Sequence, residues 1–119
     1  MLDCPVCAGR LGPVELRCGD CNLVLQGSFT LPRLARLPAE MRALGEQLIL
    51  CGGNLKQLAT QIGISYPTLR RRVDQMIAAL ERLKADDEIR IKEILENVES
   101  GHLKSAEGVR MIRELQDEL

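Results

Sequence analysis

Two cysteine pairs constrain this chain more than any other feature in it. Cys4-Pro-Val-Cys7 and Cys18-Gly-Asp-Cys21 stand with ten residues between them. Two such knuckles at short separation can set four sulfurs around one point. Tetrahedral four-thiolate coordination suits zinc and leaves no position for water or substrate. The spacing therefore predicts one structural Zn2+ per chain, held by Cys4, Cys7, Cys18 and Cys21. Gly9, Gly12 and Gly19 are expected to supply the tight turns. Residues 14–17 and 23–29 read as short strands carrying the second knuckle. Together 1–30 reads as a zinc ribbon. A segment this small is not held by apolar burial alone; below roughly 40 residues a metal or disulfides is the usual remedy. Met1 is followed by Leu-Asp-Cys-Pro, with no basic stretch and no apolar stretch behind it. No secretory signal is expected, and disulfides are disfavoured accordingly. Iron in a rubredoxin-like site and redox sensing with zinc release stay open as other uses of the same thiolates. Cys51 stands apart and is expected to be a small core residue.

The rest of the 119 residues offers little for catalysis. His102 is the only histidine, so a Ser-His or Cys-His hydrolase has little to work with. Phe29 and Tyr66 are the only aromatics, which argues against a sheet that stacks RNA bases. The expectation is a chain that is not an enzyme and has no evident small-molecule substrate. Hydrophobic residues make up 45%, too many for a disordered chain. No apolar run approaches the roughly 20 residues that span a bilayer, so membrane insertion is not expected.

A net charge of −1 hides a strong asymmetry. Lys56, Arg70, Arg71, Arg72, Arg82 and Lys84 against Asp74 and Glu81 make 54–85 net +4. Ten acids against five bases make 86–119 net −5. A basic middle and an acidic tail are informative where the total is not.

The middle reads as three helices. Pro38 fits a first helical turn, and Met41, Leu44, Leu48 and Cys51 keep a helical spacing until Gly52-Gly53. Asn54 can cap the next helix, with Gln57 three residues on. Leu55, Leu58, Ala59 and Ile62 form its apolar side, and Gly63 ends it after two turns. Ser65 caps a third helix whose Pro67 falls where no intrahelical N–H is needed. A short helix, a Gly turn and a second capped helix make a helix-turn-helix. Ala59 lets the two helices cross closely, Ile64 plugs the turn, and Leu69 and Val73 hold the second helix to the first.

On a wheel with Leu69 at zero, Val73, Met76, Ile77, Leu80 and Leu83 fall within about 80° and form the expected buried stripe. Arg71, Gln75 and Thr68 fall at about 200°, 240° and 260°. Tyr66, Thr68, Arg71 and Gln75 are thus placed to meet base edges, while Lys56, Arg70 and Arg72 flank them for phosphates. Ser65, at the start of the same helix, joins this set. A solvated charged face is the alternative for the arginines, and packing against the first helix is the alternative for Tyr66.

From Asp86 a new helix is expected, capped by Asp86 or Asp87, with Ile91, Ile94, Leu95 and Val98 on one face. Gly101 ends it. Ser105 is expected to cap a last helix bearing Val109, Ile112, Leu115 and Leu119, with Gly108 marking a close helix approach. His102 is expected to be an exposed or capping turn residue.

The run from Gly53-Asn54 through Ala59, Gly63-Ile64-Ser65, Thr68-Leu69, Arg71 and Val73 resembles the Fis-type helix-turn-helix of bacterial DNA-binding proteins. It departs from that pattern at Tyr66 and Pro67, so no sequence preference carries over. With all three modules placed, the chain resembles the bacterial family catalogued as domain of unknown function 2089. The carrying residues are the two cysteine pairs, Leu31-Pro-Arg-Leu-Ala-Arg-Leu-Pro38, and Gly53-Asn-Leu-Lys56 leading to Gly63-Ile-Ser-Tyr-Pro-Thr-Leu-Arg70. The tail is similar to short helical-hairpin modules of bacterial envelope-stress proteins. The resemblance implies a regulator in the bacterial cytoplasm, at the nucleoid when bound to DNA.

The expected architecture is mainly α: a β zinc ribbon over 1–30, a helix-turn-helix domain over 31–85, and a helical hairpin over 86–119 for dimerisation or partner binding. The expected function is a homodimeric regulator of transcription that binds double-stranded DNA. A zinc-scaffolded module that binds a protein through 86–119 is one alternative, and a zinc-thiolate redox sensor is another.

Overall fold

A computed structural model describes residues 3–116. The elements run β1 (Glu15–Arg17), β2 (Val24–Gln26), a 3-10 turn (Arg33–Arg36), α1 (Ala39–Leu50), α2 (Leu55–Ile62), α3 (Tyr66–Glu99) and α4 (Ser105–Leu115). The fold is mainly helical, with a small N-terminal β element, as expected. The chain divides into two compact units: Arg33–Glu93, and Met1–Pro32 together with Ile94–Leu119.

β1 and β2 pair antiparallel, with Glu15 opposite Gln26 and Arg17 opposite Val24. The second strand is shorter than the 23–29 read from the sequence. Beyond Gln26 only single bonds continue, from the amides of Gly27 to Val14 and Phe29 to Pro13. Pro13 has no N–H to return, so the ladder stops there. Val6, Val14, Leu16, Leu23 and Leu25 are all exposed. This segment builds no apolar core of its own.

In the Arg33–Glu93 unit each helix boundary has a local cause. The Pro38 carbonyl accepts from the amides of Met41 and Arg42 and opens α1. Gly52 and Gly53, both at positive φ, close it, with the Gly53 amide reaching back to the Leu48 carbonyl. The Asn54 side chain accepts from the Gln57 amide at 3.1 Å, and Gly63 at φ 83 ends α2. Leu44, Leu58, Ala59, Leu69 and Val73 form the core, with Leu48, Cys51, Ile62, Ile64 and Met76 packed around it. Cys51 is half-buried there, as its spacing implied, and its Sγ donates to the Leu48 carbonyl. Ile77 departs from the expected stripe and is 42% exposed.

The larger departure is at Asp86-Asp87. No helix starts there; α3 runs through without a break to Glu99. Asp87 does not cap a helix and is 1% exposed. Its carboxylate accepts from Arg33 Nε at 3.1 Å and from both terminal nitrogens of Arg36. A buried carboxylate is tolerated when its lone pairs meet guanidinium donors in this way. The heptad seam of Leu69, Val73, Met76, Leu80 and Leu83 reaches Asp87 four residues on, so the acid occupies a core position.

In the other unit, α3 ends at Ser100-Gly101, with Gly101 at φ 81. Ser105 is the first residue of α4 and makes no cap; the N-cap position is Lys104, without a side-chain bond. Gly108 is buried against α3: a Cβ there would lie 2.6 Å from Val98 Cγ2 and 3.6 Å from Ile94 Cγ2. Close helix approach is thus the reason for this glycine. His102 is exposed in the turn, with its Nδ1 2.6 Å from Ser100 Oγ. Leu119, expected on the last helix, lies outside the described residues.

Candidate nucleic-acid interface and cysteine knuckles

α2, the left-handed Gly63 and the start of α3 fix the presentation of the basic residues. Leu58, Ala59 and Leu69 are buried where α2 and α3 cross, so the outer side of α3's first turns faces away from the core. Ser65 caps α3: its Oγ accepts from the Thr68 amide at 3.3 Å and lies 2.8 Å from the Thr68 hydroxyl. The first turn of α3 contains no acid. A helix N-terminus of this kind, with no negative side chain across it, favours an incoming anion.

The expected site residues divide into three groups. Tyr66, Arg71 and Lys56 are exposed. Arg70 is exposed too, in an ion pair with Asp74 at 3.1 Å. Such a surface i,i+4 pair contributes about 0.3–0.5 kcal/mol, little enough for a phosphate to displace the carboxylate. Ser65 and Thr68 bond to each other, so both hydroxyls serve the cap. Arg72 and Gln75 line a groove of about 420 Å3 against Glu40, Leu44 and Gln47 of α1. Both residues are exposed.

Arg33 and Arg36 lie outside this surface. Both serve Asp87, and Arg36 is 7% exposed at its side chain. Sequence reasoning missed this triad. Its signal was Asp87 standing in register with Leu83 on the seam.

The cysteines form two knuckles of one design. The Cys4 amide donates to the Gly9 carbonyl and the Ala8 amide to the Cys4 carbonyl. Fourteen residues on, the Cys18 amide donates to Leu23 and the Asn22 amide to Cys18. The residues that turn the chain are Ala8 at φ 59 and Asn22 at φ 60, not the glycines expected there. Gly9 has another reason: a Cβ would stand 3.2 Å from Cys7 Sγ. The Cys4 thiol is held below its ordinary value by the amides of Cys7 and Val6 and by the Cys7 side chain. Cys18 is lowered likewise by the amides of Cys21 and Asp20 and by the Cys21 side chain.

The structure thus brings Cys4 to Cys7 and Cys18 to Cys21. It does not bring the two pairs into one group: among the described residues, no three or more His, Cys, Asp or Glu side chains converge on a metal position. The donor chemistry of each pair fits half of a thiolate site for a soft, tetrahedral cation. Among the described residues, no helix is long and apolar enough to cross a membrane.

Residues 37–82 match the family model described as Domain of unknown function (DUF2089)-HTH. The matched stretch comprises α1, α2 and the first half of α3. The ribbon and the hairpin lie outside the matched residues. No curated protein and no solved structure matches the chain.

Proposed function

We propose that the chain is a DNA-binding regulator of transcription that places the start of α3 in the major groove and is not an enzyme. The carrying observation is the junction of Ser65 with α3. An acid-free helix N-terminus projects Tyr66 and Arg71 outward beside α2, which Asn54 caps at one end and left-handed Gly63 closes at the other. Arg71 and Tyr66 read base edges; Lys56, Arg70 and Arg72 hold phosphates, with Gln75 at the margin. Two copies bind together, because one helix-turn-helix offers a small interface and specific sites are commonly read a helical turn apart. The setting that fits is the bacterial cytoplasm. Titration against random duplex DNA at two salt concentrations tests the reading, since phosphate contacts impose a steep salt dependence.

One structural zinc per chain belongs to the same proposal. Cys4 and Cys7 from one knuckle and Cys18 and Cys21 from the other would hold it. When bound, the ion supplies the cross-link that a coreless ribbon lacks. Elemental analysis of purified protein should return one zinc per chain, and Cys18→Ser should lose the metal and the order of 1–30.

The acidic tail favours a second reading, a zinc-scaffolded module that binds a protein. Leu95 and Val109, each half-exposed on the hairpin, would carry that contact. Absence of salt-dependent DNA binding would put this reading in first place.

A further inference from the structure

The Arg33–Glu93 unit leaves one apolar face open. A groove of about 500 Å3 lies between α1 and α3, with Leu37, Met41, Leu48, Met76 and Leu80 among its lining residues. Leu34, Ile49, Leu50 and Ile77 line it too and are exposed, Ile49 to 75% and Leu50 to 79%. Monomeric proteins rarely leave contiguous apolar surface of more than a few hundred Å2 without a partner.

We propose that this groove is the face on which a second copy of the chain docks. The inference rests on the two-copy reading above and supplies the surface for it. Three observations select a second copy over a foreign partner. A two-fold contact uses the same patch on both subunits, so the patch must carry both projections and a hollow to receive them. This one does: Ile49 and Leu50 stand on the rim of the hollow that the partner's Ile49 and Leu50 would enter. The charges lining the groove are also self-complementary. Arg42 and Glu46 stand one turn apart on α1, so a two-fold axis can set Arg42 against the partner's Glu46. A strongly acidic or basic partner would find no net field there. Finally, Met76, Ile77 and Leu80 lie roughly 120–180° around α3 from Arg71. Docking on this face leaves the proposed base-reading side free in both copies. The hairpin competes less well, because Ile94 and Gly108 already bury its inner faces against each other.

Sedimentation of the full chain without DNA tests the proposal. Wild type should sediment at twice 13.2 kDa at micromolar concentration. The double variant Ile49→Glu/Leu50→Glu should fall to a single chain with an unchanged helical circular dichroism spectrum. Ile77→Glu should do the same from the α3 side, and it decides the matter if the double variant fails to fold. Leu95→Glu/Val109→Glu, on the hairpin, should remain a dimer. A wild-type monomer, or a dimer lost with the hairpin variant and kept with the groove variants, overturns the proposal. Because DNA is absent, a dimer that dissociates as expected but never binds duplex would uphold this face and sink the DNA reading alone.

Discussion

Arg36 grips Asp87 with both terminal nitrogens of its guanidinium, across 51 residues of sequence. The contact ties the turn that precedes α1 to α3 within the Arg33–Glu93 unit. Both side chains are almost wholly withdrawn from water. Removing one partner strands the other's charge, which typically costs 3–5 kcal/mol. Arg36→Ala leaves Asp87 only the partly solvated Arg33, so it should lower the unfolding free energy read from urea denaturation by up to about that amount. Arg33→Ala should cost clearly less, since Arg33 is partly solvated at 27% exposure and leaves Arg36 in place. Equal effects of the two variants would refute this ranking.

Gly108 sets two opposed terms against each other. Alanine in mid-helix gains about 1 kcal/mol over glycine. The added methyl would meet Val98 at 2.6 Å, and overpacking of this kind costs about 1–3 kcal/mol. The steric term wins, so Gly108→Ala should speed amide hydrogen exchange in α4. Adding Val98→Ala should reverse the effect. Slower exchange in the single variant would show that the helices do not meet there.

The α2 turn depends on two residues. Asn54→Ala removes the side chain that accepts the Gln57 amide and should cost about 1 kcal/mol. Gly63→Val places a branched side chain at φ 83 and should cost more, because left-handed backbone already costs roughly 1–2 kcal/mol for an L-residue. Both should shift the denaturation midpoint with little change in slope.

The knuckles predict two thiols that ionise early. In metal-free protein, Cys4 and Cys18 keep thiolate character to lower pH than an ordinary cysteine, because each sulfur accepts two backbone amides. Alkylation below the ordinary thiol range should therefore label Cys4 and Cys18. Mass spectrometry after brief iodoacetamide treatment reads this directly. Absence of labelling at Cys4 and Cys18 below that range would contradict the knuckle geometry.

Much of the helical scaffold was legible in the residues. Asn54, Gly63 and Gly101 act as boundaries because their chemistry is local: a short acceptor side chain or a tolerance of positive φ decides within one turn. Gly108 was legible for a related reason, since a glycine in mid-helix needs a packing cause. Asp86-Asp87 misled because the same residues that cap a helix also serve as ion-pair acceptors. Local chemistry could not tell that two arginines 51 and 54 residues away would converge there. Register could have, since Leu83, Asp87, Ile94 and Val98 keep one seam through the supposed break. The ribbon turns were misassigned for another reason. Glycine is the default for positive φ, yet the hydrogen-bond pattern of each knuckle places that strain on Ala8 and Asn22. At the candidate interface Arg71 and Gln75 are both exposed, whereas the groove that Arg72 and Gln75 share with α1 was not legible, because a wheel describes α3 alone and not the helix beside it.

The most direct test is a comparison of Arg71→Ala with Arg72→Ala on a selected duplex and on random duplex, each at two salt concentrations. Arg71→Ala should lose roughly 1–3 kcal/mol on the selected site and relax preference at one base position, with the random duplex little affected. Arg72→Ala should weaken both duplexes alike and flatten the salt dependence by roughly one unit of slope. If neither variant changes affinity, or if wild type binds duplex DNA without salt dependence, α3 does not read the major groove.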